Sequence, residues 1–198
     1  MPRLARQPSP SGIYHILARG HNRMPIFRAD ADYRHYLDLL ARFKKKIPCR
    51  CYHLCLMPNH LHFLLQAELV DHVTAMMRRL QQAFQLYWRK QYRLVGHLWQ
   101  GRFKSLPIDT ESYLLECARY IERNPIRAKL SATPEAYPWS SAQIYLRGPR
   151  KGWEFLDLSP AYRSFGKRSQ TQIKHYRNFL LQPRPYDRLV DAQFNQLT

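Results

Sequence analysis

Two rhythms of hydrophobic and polar positions run along this chain. Period-two alternation, the mark of a strand, covers residues 12–19, 49–57 and 60–66, with a shorter stretch near 105–109. Steps of three and four, the mark of an amphipathic helix, cover residues 30–47, where Tyr33, Tyr36, Leu37, Leu40 and Ala41 or Phe43 align. The same steps recur over 71–92 through Val73, Met76, Met77, Leu80, Phe84, Tyr87 and Trp88, with the methionines read as core packing. Asp30 is a fitting N-cap for the first helix, and Lys44, Lys45 and Lys46 suit the negative end of its dipole. Pro58 and Asn59 supply a tight turn that makes a hairpin of 49–57 and 60–66. Asp109 or Thr110 caps a third helix over 111–123, which Asn124-Pro125 should end or kink, with a further turn at 126–130.

The order is therefore β-α-β-β-α-β followed by a helix. That pattern predicts an α+β, ferredoxin-like split βαβ antiparallel sheet with helices on one face, leaving the other face for a ligand. Residues 1–130 are expected to form this domain, with 1–10 as a Pro- and Arg-rich arm. Residues 131–198 change character, punctuated by Pro134, Pro138, Gly148, Pro149, Gly152 and Pro160. They are expected to be a C-terminal extension with one helix around 160–181.

Charge sharpens the picture. The chain has 198 residues, and 32 Lys and Arg against 14 Asp and Glu leave +18. The cations run from Arg3 to Arg188, so they belong to a folded surface rather than a tail, and a polyanionic partner is implied. Thirteen tyrosines, nine phenylalanines and four tryptophans add stacking surfaces that suit unpaired bases, although most such rings pack in cores. No stretch approaches the roughly 20 apolar residues of a membrane span, and the N-terminus has no apolar signal core. A cytoplasmic protein is expected.

The chemistry centres on His60 and His62. One residue apart on a strand, they point to one face, while Leu61 and Phe63 point to the other. Such a pair can hold one divalent metal ion. On the third helix Leu114, Cys117, Ala118 and Ile121 form the apolar stripe, and Tyr113, Glu116, Tyr120 and Asn124 the opposite one. A metal held by two imidazoles can act on a phosphate as a Lewis acid, and a phenol can attack the phosphorus to form a phosphotyrosine. Asn124 is the preferred third ligand, with Glu116 next. Mg²⁺ favours oxygen ligands, and Mn²⁺ accepts imidazole more readily. Cys49, Cys51, His53 and Cys55 share strand parity and could hold zinc, but their spacing matches no CxxC pair; small buried residues are the plainer reading. His15, His21, His53 and His97 are read as packing or phosphate contacts.

Three segments, Pro58–Phe63, Trp99–Ser105 and Arg119–Ala128, resemble the single-tyrosine HUH transposases, and most of all the REP-associated tyrosine transposases of bacteria. Tyr14-His15-Ile16, Arg19–Arg23 and Tyr137–Ser141 match further segments, so the resemblance spans roughly 12–146 in order. It implies that His60 and His62 are the metal-binding pair, that Tyr120 forms a 5′-phosphotyrosine link to single-stranded DNA, and that Asn124 sits where relatives supply the extra ligand. It also implies a palindromic, hairpin-forming REP-like DNA with a short tetranucleotide beside its stem. Arg19, Asn22, Arg23, Trp99, Arg102 and Lys104 fall in segments suited to DNA contact. Lys129 stands where relatives often carry glycine. Some relatives are dimers, but a monomer is the expectation here. The alternative is a non-catalytic single-strand binder using the same sheet, which gives no reason for His60, His62 and Tyr120 together.

Overall fold

The structure, a computed structural model, describes residues 7–182. Residues 1–6 of the expected arm, and the last sixteen residues of the expected extension, lie outside the described residues. Four strands, β1 (Ile13–Arg19), β2 (Arg50–Met57), β3 (His60–Gln66) and β4 (Lys104–Ile108), form one sheet in the order β2-β3-β1-β4. Every neighbouring pair is antiparallel. Helices α1 (Asp30–Lys44) and α2 (Val70–Tyr92) fall where the periodicity placed them. The split βαβ expectation therefore holds.

Register assigns the faces. Leu17 pairs with His62 and Arg19 with His60, while Lys104 pairs with Leu17. Ile16, Phe63, Leu54 and Leu56 alternate to the other side. There they meet α1 and α2, and Tyr36 stacks on Phe63 with centroids 6.2 Å apart. Val73, Met76, Met77, Leu80 and Phe84 are fully buried, as their spacing predicts. At roughly 1.5–3 kcal/mol for each large apolar side chain taken out of water, this seam is the main stabiliser of the α1–α2 layer.

Asp32, not Asp30, closes the start of α1. Its carboxylate accepts the backbone N–H groups of Arg28 and Ala29 at 2.7 and 3.0 Å, and the hydroxyls of Tyr87 and Tyr92 from α2. One side chain thus terminates a helix and ties two helices together. Lys44 bonds Asp157 and the Phe155 carbonyl rather than only facing a helix dipole.

The second face is not open. Helix α3 (Glu111–Arg127) lies over it, and Thr110 caps that helix by accepting the Tyr113 N–H at 3.3 Å. The helix runs through Pro125 instead of stopping before it. Its missing N–H costs the helix the bond to the Ile121 carbonyl, and the helix ends two residues later at Arg127. The face that was expected to be free thus holds its ligand-bearing residues beneath a helix.

Residues beyond 131 line the outer edge of β2. Leu56 N–H donates to Trp139 O, Ser141 N–H to Leu54 O and Asp157 N–H to Cys51 O, at 2.8–2.9 Å. An edge strand so covered cannot pair with another chain. Helix α4 (Ala142–Arg147) was not foreseen, and the single helix expected over 160–181 is two, α5 (Pro160–Arg163) and α6 (Ser169–Leu181). Tyr145, Tyr162, Tyr176 and Leu180 bury one another in a small second cluster beside α3.

Candidate active site

Strand β3 presents His60 and His62 to the α3 side of the sheet, with ring centroids 5.0 Å apart. Helix α3 brings Tyr120 down onto them. The Tyr120 ring is 5.5 Å from that of His62 and edge-on to it. The two were 58 positions apart on a chain that gave no register for the helix; packing of α3 against β2 and β3 decides their contact.

A third imidazole completes the cluster. His15, on β1, places Nε2 3.1 Å from His62 Nδ1, and its ring is 6.1 Å from Tyr120. Parity along one strand does not relate His15 to a pair on another, so the sequence offers it only as a packing or phosphate-contact residue. Its signal was the split βαβ order, which puts β1 beside β3. On the other imidazole, His60 Nδ1 donates to Asn59 Oδ1 at 2.7 Å. Both Nδ1 atoms are thus engaged from behind, so a metal would be met through Nε2. Outer partners of this kind fix the tautomer and orientation of a ligating histidine.

The electrostatics agree with ligation. Burial lowers the pKa of His60 to about 4, helped by the Arg19 guanidinium across the strand pair. Burial also holds His62 well below the usual histidine range, with His60, His15, Arg19 and Arg127 adding to it. Neutral imidazoles carry the lone pair a metal needs. The donor set therefore fits a divalent ion, though two histidines alone do not complete a coordination sphere.

Asn124 lies one turn beyond Tyr120 and is buried; its Nδ2 donates to the Tyr120 carbonyl at 3.0 Å. Ligation would fall to Oδ1. Glu116 accepts from the Nε of the buried Arg119 at 3.0 Å, so its carboxylate is committed to that guanidinium. Arg127 stacks its guanidinium 4.9 Å over the Tyr120 ring. This cation was missed, because helix 111–123 was expected to end before it.

Cations gather beside the pair. Arg19, Arg102 and Lys104 line one pocket together with Leu17, Ala18, Gln100 and Gly101. Burial and the nearby Arg19 charge hold the Lys104 amine below its ordinary pKa. Asn22 and Arg23 sit exposed at the tip of the β1 loop with φ of 49° and 56°. Gly20 leads into that loop, where a Cβ would meet Met24 O at 2.3 Å. Trp99 is elsewhere: it is 7% exposed, bridges Gly20, packs near Phe84 and donates its indole N–H to Gln81 O at 3.0 Å. A ring so placed anchors the 97–103 loop and is not presented for stacking.

The cysteine cluster does not assemble. A bulge between Cys51 and His53 breaks their shared parity, and burial pushes the Cys51 and Cys55 thiols upward. Among the described residues no three His, Cys, Asp or Glu side chains converge as a ready-made ligand set.

A family profile described as "Transposase IS200 like" matches residues 9–124. The chain belongs to this family. Residues 9–124 contain the whole sheet, both histidines and Tyr120, so the family match and the clustered site coincide. The solved structure of a REP-associated tyrosine transposase bound to a REP hairpin is similar in fold, with a TM-score of 0.60 at 19% identity, covering 85% of this chain and 98% of that one. A putative transposase from Deinococcus radiodurans aligns over 62% of this chain and 97% of its own at 20% identity, with a TM-score of 0.43. No curated protein matches. This IS200-like transposase thus belongs to a family of DNA-cleaving enzymes, and no helix among its described residues is long and apolar enough to cross a membrane.

Proposed function

We propose that this IS200-like transposase is a metal-dependent single-stranded DNA endonuclease and strand transferase with Tyr120 as its nucleophile. The observation that carries the reading is the 5.5 Å contact between the Tyr120 and His62 rings. His60 and His62 would hold Mn²⁺ or Mg²⁺ through Nε2, with Asn124 Oδ1 as the third protein ligand. When bound, that ion supplies Lewis acidity to the scissile phosphate.

The chain's own residues do the rest. His15 and Asn59 fix the two imidazoles by bonding their Nδ1 atoms. Tyr120 Oη gives up its proton and forms a bond to phosphorus. The P–O3′ bond breaks, and the departing 3′ oxygen takes a proton. Arg127, over the phenol ring, favours the negative charge that develops there. The product is a 5′-phosphotyrosine. It keeps the energy of the phosphodiester, so a later 3′-hydroxyl can displace Tyr120 and rejoin strands without ATP.

The substrate class follows from charge and form. A net charge of +18 and the pocket of Arg19, Arg102 and Lys104 suit a phosphate backbone led toward the histidines. The transposase of similar fold is bound to a REP hairpin. A REP-like palindromic hairpin, read beside its stem by Asn22, Arg23 and the pocket, is the expected DNA, acted on by a cytoplasmic monomer.

The test uses single-stranded oligonucleotides carrying the inverted repeats that flank the protein's own gene, with Mn²⁺ or Mg²⁺. A covalent protein–DNA adduct is expected, lost in Tyr120→Phe with DNA binding retained. Tight binding of such hairpins with no cleavage would instead establish a non-catalytic binder.

A further inference from the structure

Two residues after Tyr120 on α3, a carboxylate is buried in the protein interior. Glu122 has no exposed surface. Its Oε1 accepts His53 Nδ1–H at 2.8 Å and the Ser141 hydroxyl at 2.7 Å, and its Oε2 accepts the Tyr176 hydroxyl at 2.9 Å. These donors come from β2, from the segment entering α4 and from α6. Burying a carboxylate is expensive unless its lone pairs are met, and here three separate elements meet them. Each donor is itself held: Ser141 Oγ accepts Leu54 N–H at 3.0 Å, the His53 ring stacks on Tyr145 at 4.3 Å, and the Tyr176 ring packs edge-on against Tyr162 at 5.1 Å.

The same helix is gripped from α6 by two further groups. Arg119 donates to the carbonyl of Gln182 at 3.2 Å, and Arg123 to that of Leu180 at 2.6 Å. Both carbonyls lie at the C-terminal end of α6, where cations are favoured by the helix dipole. So α3 is locked on one side to β2 and α6, while on the other Tyr120 reaches His62.

We propose that Glu122 is a positioning residue for Tyr120, fixing the roll of α3 over the sheet through His53, Ser141 and Tyr176. This rests on the reading of Tyr120 as nucleophile. The lever is geometric. A tyrosine oxygen lies about 9 Å from its helix axis, so a roll of about 10° moves it by about 1.5 Å. A displacement of about 1 Å at a reacting atom can lower a rate about 100-fold. A carboxylate suits the task because its lone-pair directions resist rotation in a way apolar packing does not.

The experiment compares Tyr176→Phe and Glu122→Gln with a matched control, Tyr162→Phe. Tyr162 donates a buried hydroxyl too, to Tyr145 O at 2.9 Å, in the same cluster but not to Glu122. Three quantities are read in each: thermal unfolding, the Kd for the gene-flanking hairpin oligonucleotide in EDTA, and the single-turnover rate of adduct formation at saturating DNA with Mn²⁺. Both tyrosine variants should stay folded, with the larger loss of stability in Tyr176→Phe because its bond is to a charged group, and keep Kd within about twofold. Adduct formation should fall by about tenfold or more in Tyr176→Phe and Glu122→Gln, and stay near wild type in Tyr162→Phe. An unchanged rate in Tyr176→Phe, or an equal loss in Tyr162→Phe, overturns the proposal. Should Glu122→Gln fail to fold, the tyrosine pair decides. Absence of any adduct with the wild-type protein overturns the nucleophile reading itself, and the positioning role with it.

Discussion

His15→Phe isolates what the third imidazole contributes. The His15 ring is fully buried, and burial lowers its pKa to about 3, so it is neutral and an aromatic hydrocarbon can occupy its place. What is lost is the 3.1 Å bond to His62 Nδ1. For His62 to ligate through Nε2, its Nδ1 carries the proton and His15 Nε2 accepts it. Phenylalanine takes that acceptor away from a buried donor, a cost of up to about 1–3 kcal/mol, which bounds the expected fall in stability. Outer-sphere partners of ligating histidines are typically worth about 10–100-fold in metal affinity, or about 1.4–2.7 kcal/mol. Calorimetric titration with Mn²⁺ should therefore show binding weakened by that factor in His15→Phe. His15→Gln, whose amide oxygen can accept the same proton, should recover part of it. Mn²⁺ affinity within about twofold of wild type in a folded His15→Phe protein would refute the argument, because the bond would then orient nothing that the metal uses.

Other outcomes follow from the same geometry. Arg102→Ala and Lys104→Ala should each lower the slope of log K against log salt for hairpin binding by about 0.7–0.9, one phosphate's share, while Arg79→Ala on α2 leaves it unchanged. Trp99→Phe should keep hairpin affinity and lose about 1 kcal/mol of stability with the bond to Gln81 O; a large fall in affinity instead would return Trp99 to the DNA interface. Burial alone would raise the pKa of Asp32, but hydrogen bonds from Tyr92, the Arg28 N–H, Tyr87 and the Ala29 N–H outweigh it and hold the carboxyl below its ordinary value. A depressed folded pKa stabilises above the unfolded carboxylate value and is lost as pH falls through the folded one. The urea midpoint should thus drop between about pH 5 and 3 more steeply in wild type than in Asp32→Asn.

The strands and the first two helices were legible because each depends on periodicity within its own segment. His60 to Gln66 reads as a strand with two same-face imidazoles, and the structure places β3 on those residues. Asp30 looked like a cap, yet Asp32 does the work, since side chains two positions apart near a helix start compete and only the path of Arg28 and Ala29 selects one. The polar stripe of Tyr120 and Asn124 was correctly grouped, but it turned inward. Arg119 and Glu122, expected by type to seek water, are fully buried because α6 and β2 supply their partners.

By itself, then, the sequence determined the β-α-β-β-α-β order, the strong positive charge, the histidine pair on one strand face and a tyrosine followed one turn later by an asparagine. Apart from the summed charge, these are assembled from local signals: residue type, parity and helical step act within about ten positions. Tertiary structure alone decided that β1 brings His15 behind His62, that Trp99 is an anchor, that α3 covers the histidine face and that α6 grips α3 through Glu122, Arg119 and Arg123. Those outcomes depend on strand register and on which helix faces pack together. They are settled by burying apolar surface and satisfying buried polar groups across the whole chain at once, and no short window of sequence contains that sum.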